Sequence, residues 1–124
     1  MGEATPSLSW VPADDVPVRY AELSHDHSPV HLDPELAVGE GLPGIILHGM
    51  HVLAQVASHL DRLGEAEGQG LRSLSMRFMD VTVRGERITV DFERSGDAVT
   101  FVGFQTGRAV AGTGTAEYGS PVGA

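Results

Sequence analysis

The sequence contains no cysteine and no lysine among its 124 residues. Without cysteine the chain can form no disulfide and has no thiolate for catalysis or redox chemistry. It also contains no apolar run of the length that spans a bilayer, and we see no signal peptide at its N-terminus. From these absences we expect a cytoplasmic protein that does not enter a membrane.

Positive charge is scarce as well, since eight arginines stand against 17 carboxylates and the net charge is -9. This balance argues against nucleic acid as a partner. The arginines concentrate in the second half, where an anionic ligand is expected to bind if the chain has one: Arg72, Arg77, Arg84, Arg87, Arg94 and Arg108. The alternative is that these arginines are solvated surface residues, as most exposed charges are.

Helix signals dominate the first half of the sequence. We expect one domain over 1–124, with 1–7 as a flexible end. The segments Asp14-Asp15-Val16-Pro17 and Asp33-Pro34-Glu35 each place a capping carboxylate before a proline, which predicts two short helices. A longer helix is predicted over 49–63, with Gly64 as its stop and 65–70 as a loop. Its apolar stripe is Met50, Leu53, Ala54, Ala57 and Leu60.

Strand signals dominate the second half, because apolar and polar residues alternate with period two. The alternation predicts strands around 73–78, 87–92, 98–106 and 108–118, with a short strand at 8–11. Gly85, Gly96 and Gly107 mark the turns. Helices followed by antiparallel strands indicate an α+β fold, in which the sheet wraps around one long central helix.

Asp26 and His31 are the candidate catalytic residues, on a loop that Pro29 and Pro34 stiffen. An aspartate and a histidine can act together in proton transfer, although polar loop residues are more often simply solvated. An apolar wall at 45–47 could perturb their pKa values. Gly49 opens the long helix, and its free amide can stabilise a carbonyl oxygen that gains negative charge.

The remaining histidines raise the alternative of a metal site. His25, His27 and His31 follow a His-x-His-x-x-x-His spacing, and His48 and His51 lie nearby in sequence. His25 and His27 flank Asp26 in a turn rather than sharing one face of a strand, so we expect no metal. His48 is expected to support the loop, and His59 to be exposed or at an interface.

The segment from Tyr20 to Ala37 carries a resemblance to a known family. In order, it presents an aromatic, an aliphatic and a small residue, an aspartate, a proline, an aliphatic residue, a histidine and a small residue. These positions are Tyr20, Leu23, Ser24, Asp26, Pro29, Val30, His31 and Ala37. The segment resembles the MaoC-like, or R-specific enoyl-thioester, hydratases, and the spacing to the His48-Gly49-Met50 element is also similar.

The resemblance extends along nearly the whole chain, since 76–78, 83–86 and 111–116 are similar to strand elements of the same family. Two positions depart from it. His25 replaces the usual glycine, and would be strained if the position needs a positive φ. Ser28 replaces the usual asparagine, which in the family holds the loop; its hydroxyl can still bond locally to the backbone, but with a shorter reach.

The resemblance implies a single hotdog domain that adds water reversibly and syn to a trans-2-enoyl thioester of CoA or acyl carrier protein, giving a (3R)-hydroxyacyl thioester. It implies that Asp26 and His31 hold one water between them, that the Gly49 N–H stabilises the enolate-like oxygen, and that no cofactor or metal is needed. Ser28, Pro29 and His48 would support the loop. The acyl chain would run past residues such as Leu53, Val56, Met76 or Phe78, although packing in the core is the ordinary role of each.

Two alternatives stay open at this point. The same fold hosts thioesterases, although the enoyl-hydratase loop argues against hydrolysis. The chain could also be a supporting subunit of a heterodimeric dehydratase, an idea that the two departures favour and that the presence of both Asp26 and His31 disfavours. We expect a homodimer, with a heterodimer containing another hotdog subunit as the alternative, acting in fatty-acid or polyketide metabolism.

Overall fold

The structure is a computed structural model, which describes residues 3–105 and 110–120. Along the chain follow β1 (Glu3–Trp10), α1 (Val16–Ser24), a 3-10 turn (Pro29–His31), α2 (Pro34–Gly39), α3 (Gly49–Ala66), β2 (Gly70–Phe78), β3 (Ile88–Ser95), β4 (Ala98–Gln105) and β5 (Val110–Gly119). In these ranges no helix combines the length and the apolar character that a bilayer span requires. The predicted turn at Gly107 and the anion-binding candidate Arg108 lie outside the described residues.

The strands form one five-stranded sheet in the order β1-β3-β4-β5-β2, with antiparallel neighbours throughout. All the helices lie between β1 and β2 in the chain, and these two strands are the edges of the sheet. Val52, Val56 and Leu60 of α3 pack in one core with residues of β3, β4 and β5. The predicted α+β architecture, an antiparallel sheet around one long helix, is confirmed.

The N-terminal strand is longer than predicted. Residues 3–7, which we expected to be flexible, belong to β1, and β1 pairs with β3 from Glu3 opposite Arg94 to Trp10 opposite Ile88. The ladder shifts register between Thr5 and Leu8, which accommodates the missing N–H of Pro6. Alternation of side chains is weak in this segment, because backbone pairing rather than apolar burial sets its conformation.

Helix α3 also differs from the prediction, because it passes through Gly64 and ends at Ala66. A Cβ at residue 64 would lie 2.7 Å from Cε1 of Tyr118 and 2.9 Å from the carbonyl oxygen of Gln69. Gly64 therefore permits close packing rather than ending the helix. The predicted stripe was also rotated: Met50 is 57% exposed and Ala54 is exposed, while Val52 and Val56 face the core.

Candidate active site

The end of α1 sets the position of Asp26. His25 closes the helix in the left-handed region, at φ 63°, and its N–H donates to the carbonyl oxygen of Ala21. The position where the family has glycine thus does require a positive φ, which histidine tolerates at some cost. The left-handed residue turns the chain sharply, so that Asp26 leaves the helix and faces the following loop.

The two carboxylate oxygens of Asp26 have different surroundings. Oδ1 accepts hydrogen bonds from the Ser28 hydroxyl at 2.7 Å and from the Ser28 N–H at 3.1 Å. These two bonds, helped by the positive potential of His31 and His48, hold the pKa of Asp26 below its usual value. The Ser28 hydroxyl therefore bonds to the carboxylate, where the sequence predicted a bond to the backbone, and it leaves Oδ2 available on a side chain that is 49% exposed.

His31 is held in one orientation and one tautomer. It lies in the 3-10 turn that Pro29 begins, where the Pro29 carbonyl accepts the N–H groups of Leu32 and Asp33. Its Nδ1–H donates to the carbonyl oxygen of Ile46 at 2.8 Å, because a carbonyl can only accept. In the neutral ring Nε2 is then unprotonated, and it lies 3.8 Å from Asp26 Oδ2. That separation is too long for a direct hydrogen bond but allows one water to contact both atoms.

His48 contacts both His31 and the backbone of Asp26. Its ring stacks on that of His31 with a centroid distance of 3.8 Å and an interplanar angle of 19°. Its Nε2–H donates to the Asp26 carbonyl oxygen at 2.9 Å, so the ring fixes the backbone that carries the carboxylate. Nδ1 of His48 is buried and has no hydrogen-bond partner among residues 3–105 and 110–120.

Asp26, His31 and His48 are also the described residues closest to a metal-ligand arrangement, with one donor atom of each within 4.8 Å of the others. Their geometry does not suit an ion well. The two imidazole rings are nearly parallel, so their in-plane lone pairs run side by side instead of converging on one point. His25, His27 and His51 lie outside this group.

Gly49 lines two cavities. As the first residue of α3 it has no carbonyl one turn earlier to accept its N–H. An apolar cavity of about 200 Å³ is lined mainly by Ile46, Leu47, Val52, Met76, Phe78, Val81 and Ala111, with Asp80 and Thr82, and reaches His31 and Gly49. A loop cavity of about 180 Å³ is lined by Tyr20, Ser24, Asp26, His48 and Met50, and reaches the same two residues. His31 and Gly49 therefore line both cavities, and we call their position the junction.

The lining differs in part from the predicted one. Met76 and Phe78 line the apolar cavity as expected, but Val56 is fully buried in the core and Leu53 is not part of the lining. Val52 takes their place, because the buried face of α3 is rotated from the predicted stripe. The Ile46 carbonyl, which orients His31, was missed, since sequence patterns carry no signal for the direction of a loop carbonyl.

Most of the predicted anion-binding arginines have partners within the chain. Arg94 contacts Glu67 and Gln69, and Arg84 donates to the Asp14 carbonyl oxygen at 2.9 Å. Arg72 and Arg87 also donate hydrogen bonds, to the Ser120 carbonyl and the Ser9 hydroxyl. Arg77 is exposed on β2, beside the cavity residue Phe78.

Comparison with solved structures supports the fold. The (R)-hydratase from A. caviae involved in PHA biosynthesis matches with a TM-score of 0.79 and 27% identity, over 97% of this chain and 96% of that one. The ChsH1-ChsH2 complex from Mycobacterium tuberculosis matches with a TM-score of 0.80 over 96% of each chain. Its identity is 20%, so this second likeness concerns the fold alone.

Sequence relatives point in the same direction. The fatty acid synthase beta subunit pkiC of Emericella nidulans is 30% identical over 77% of this chain, and enoyl-CoA hydratase ChsH3 of M. tuberculosis is 32% identical over 60%. The chain spans only 5% of the synthase subunit and 26% of the hydratase. The family profile described as MaoC like domain matches residues 6–117. Because that match covers nearly all of the sequence, the chain belongs to the MaoC-like domain family.

Proposed function

We propose that this chain catalyses the reversible hydration of trans-2-enoyl thioesters, which in the other direction is the dehydration of (3R)-3-hydroxyacyl thioesters. One observation carries the proposal: Asp26 Oδ2 and His31 Nε2 lie 3.8 Å apart, beside a cavity with apolar walls. Both atoms can accept a proton, and both reach the same small volume. The geometry suits a single water held between an ionised carboxylate and a neutral imidazole.

The reaction needs only proton transfer and the stabilisation of one developing charge. The oxygen of the held water forms a bond to C3 while the C2–C3 π electrons move toward the thioester carbonyl. The water gives one proton to the Asp26–His31 pair, and the pair delivers a proton to C2, so one water is added in total. Both groups contact the substrate from one side, which gives syn addition. We therefore propose that no cofactor or metal takes part.

The negative charge that develops on the thioester oxygen would be stabilised by the Gly49 N–H. This amide lies at the N-terminus of α3, an 18-residue helix whose dipole favours negative charge there. Removing one such donor in other enzymes costs about 10²–10³ in kcat. Gly49 also lines both cavities, so a thioester at the junction can place its oxygen on the amide while its acyl chain enters the apolar cavity.

The substrate class follows from this site and from the relatives. The fatty acid synthase subunit and the enoyl-CoA hydratase are named for fatty-acyl and enoyl chemistry, and the A. caviae protein is named an (R)-hydratase. We propose CoA or acyl-carrier-protein thioesters of fatty-acid or polyketide metabolism as substrates. The cytoplasmic location expected from the sequence stays a prediction, which fractionation of the source cells would check.

We also propose that two copies associate through the edge strand β2. Among residues 3–105 and 110–120, β2 has a paired strand on one side only, which is β5, and it ends beside Phe78 and Met79, which are 46% and 60% exposed. An unpaired edge next to exposed apolar side chains favours strand addition. Because one structural neighbour is described as a complex of two different proteins, a heterodimer is the alternative. Native mass spectrometry of the purified chain would separate a homodimer from a monomer that lacks its partner.

The test is hydration of trans-2-butenoyl-CoA, followed by loss of enoyl absorbance and by chiral analysis of the product. We expect the parent to form the (3R) product, and Asp26→Asn and His31→Ala each to lower kcat by about 10²–10⁴. Asp33→Asn is the matched control, because this carboxylate in the same region only caps α2 through the N–H groups of Glu35 and Leu36.

Three results would contradict the proposal. Full turnover in both Asp26→Asn and His31→Ala would remove these residues from the reaction. Release of free thiol from a saturated acyl-CoA, without hydration, would favour the thioesterase alternative. If the parent is inactive on the CoA ester, the same assay is repeated with the trans-2-butenoyl ester of a phosphopantetheinylated acyl carrier protein, and inactivity on both would refute hydration by this chain alone.

A further inference from the structure

A buried glutamine at the end of β4 makes an unusual set of contacts. Gln105 is 1% exposed, yet its side-chain amide is fully bonded. Its Oε1 accepts the Val83 N–H at 2.9 Å, and its Nε2 donates to the carbonyl oxygens of Val83 at 2.6 Å and Glu86 at 2.9 Å. An amide is costly to bury unless it is paired, so these bonds hold the β2–β3 connection in one conformation.

The Gln105 side chain makes the backbone hydrogen bonds that a neighbouring strand would make in a sheet. The segment 79–87 leaves the sheet between β2 and β3, and Val83 turns its N–H and its carbonyl toward β4. Gln105 satisfies both groups with one side chain, in the manner of a short strand pair. Val83 is thereby held on one side by the Gln105 side-chain amide, which is buried and hydrogen-bonded.

The opposite side of Val83 faces the segment that orients the catalytic histidine. Val83 and Ile46 form an isolated antiparallel bridge, in which the Leu47 N–H donates to the Thr82 carbonyl oxygen at 2.8 Å. The segment 82–86 is therefore clamped between Gln105 and the residues just before α3. A shift of Val83 would move Ile46 with it.

Ile46 connects the Val83 segment to His31. Its N–H donates to the Val30 carbonyl oxygen at 3.1 Å, and its own carbonyl accepts Nδ1–H of His31 at 2.8 Å. That second bond selects the tautomer that leaves Nε2 unprotonated toward Asp26. A continuous series of contacts thus runs from the Gln105 amide through Val83 and Ile46 to the imidazole.

We propose that Gln105 is a positioning residue for His31, holding the Ile46 carbonyl where it keeps the imidazole in the Nδ1–H tautomer. The proposal rests on the hydratase function for its kinetic consequence, but the tautomer can be observed without turnover. On this proposal Gln105 affects the reaction without contacting the substrate or the reacting atoms. It acts through the β2–β3 connection, to which its side chain is hydrogen-bonded.

The test compares Gln105→Met with the parent. Methionine has nearly the same shape and none of the three hydrogen bonds. We expect kcat for trans-2-butenoyl-CoA to fall about tenfold to a hundredfold with KM changed less than about twofold, because orientation is lost and substrate contacts are kept. We also expect the ¹⁵N shifts of the His31 ring to change from a single Nδ1–H tautomer to a mixture.

Tyr118→Phe is the matched control, since it removes another buried hydrogen bond, from the Tyr118 hydroxyl to the Leu60 carbonyl, far along α3 from Gly49. It should lower the melting temperature while leaving kcat and the His31 tautomer unchanged. Gln105→Met would refute the proposal if it kept the parent tautomer. If the parent shows no hydration at all, the proposed function fails, while the ¹⁵N shifts still decide whether Gln105 positions His31.

If Gln105→Met does not fold, amide hydrogen exchange on the parent tests the proposal instead. The contacts predict that the amides of Val83, Ile46 and Leu47 open as one unit, with matching exchange rates under conditions that report opening equilibria. Clearly separate rates for Val83 and Ile46 would show that the two segments move independently, and the positioning role would be wrong.

Discussion

A methyl group added at Gly49 tests the space around the proposed oxyanion site without removing the donor. Alanine keeps its backbone N–H, so Gly49→Ala leaves the amide in place. Its Cβ would lie 3.2 Å from Cζ of Phe78 and 3.3 Å from Cε1 and Cε2. These contacts are closer than ordinary carbon–carbon separations, so the Phe78 ring has to move.

In Gly49→Ala, helix propensity and the contact with Phe78 have opposite effects on the free energy of unfolding. The contact with Phe78 also affects the rate. Alanine is favoured over glycine in a helix by up to about 1 kcal/mol. The steric cost offsets this gain, and it is small because the methyl group meets only the far end of the Phe78 side chain, which needs to shift by a few tenths of an ångström. We expect the free energy of unfolding to change by less than about 1 kcal/mol. Since Phe78 also lines the apolar cavity, its displacement misplaces the substrate, and kcat/KM should fall about tenfold to a hundredfold.

The assay combines enoyl-CoA hydration with thermal unfolding of the same samples. The rescue variant is Gly49→Ala with Phe78→Leu, which provides room for the new methyl group, and Phe78→Leu alone is its control. We expect the double variant to recover most of the activity lost by Gly49→Ala, with a coupling free energy of about 1–2 kcal/mol. Full turnover in Gly49→Ala, or no coupling to Phe78, would refute the inferred contact between Gly49 and the cavity wall.

Three further substitutions have defined expectations. Ser28→Ala removes the main contribution to the lowered pKa of Asp26, so that pKa rises, and the ¹³C shift of the Asp26 carboxyl group should titrate at a higher pH than in the parent. His48→Phe keeps a stacked ring but loses the donor to the Asp26 carbonyl, so kcat should fall about tenfold at unchanged KM, as steady-state kinetics would show. Met76→Ala enlarges the apolar cavity, so the ratio of kcat/KM for octenoyl-CoA over butenoyl-CoA should rise about tenfold, with a stability loss of about 1–3 kcal/mol by thermal unfolding.

The parts of the site that the sequence predicts are those with strong local constraints. A capping carboxylate, a proline and a fixed spacing limit the backbone near Asp26 and His31 to few conformations, and the structure brings these two side chains together. The strands of the second half follow from alternation, since one face of β3, β4 and β5 carries buried residues and one face of β2 is half-buried. The place of Gly49 at the start of the long helix also follows from the sequence, and the structure begins α3 at that residue.

The parts that the sequence does not predict depend on distant partners. Helix α3 has apolar or small residues on more than one face, so periodicity alone could not choose between Leu53 and Val52 for the buried side. Gly64 looks like a helix end, but its role is set by the ring of Tyr118. The Gln105 amide lies at the end of an ordinary alternating strand, and only the returning segment at Val83 shows why a polar group is buried there.

The meeting of the two cavities at His31 and Gly49 has a consequence for selectivity. On the proposed function, C2 and C3 of the substrate lie at the junction, while the rest of the acyl chain extends toward Met76 and Phe78 on the sheet side. A branch on C2 or C3 would then contact the junction itself, whereas added length would contact only the apolar cavity. Substituent tolerance and chain-length preference are therefore governed by different residues, so that either can change in a related sequence without altering the other.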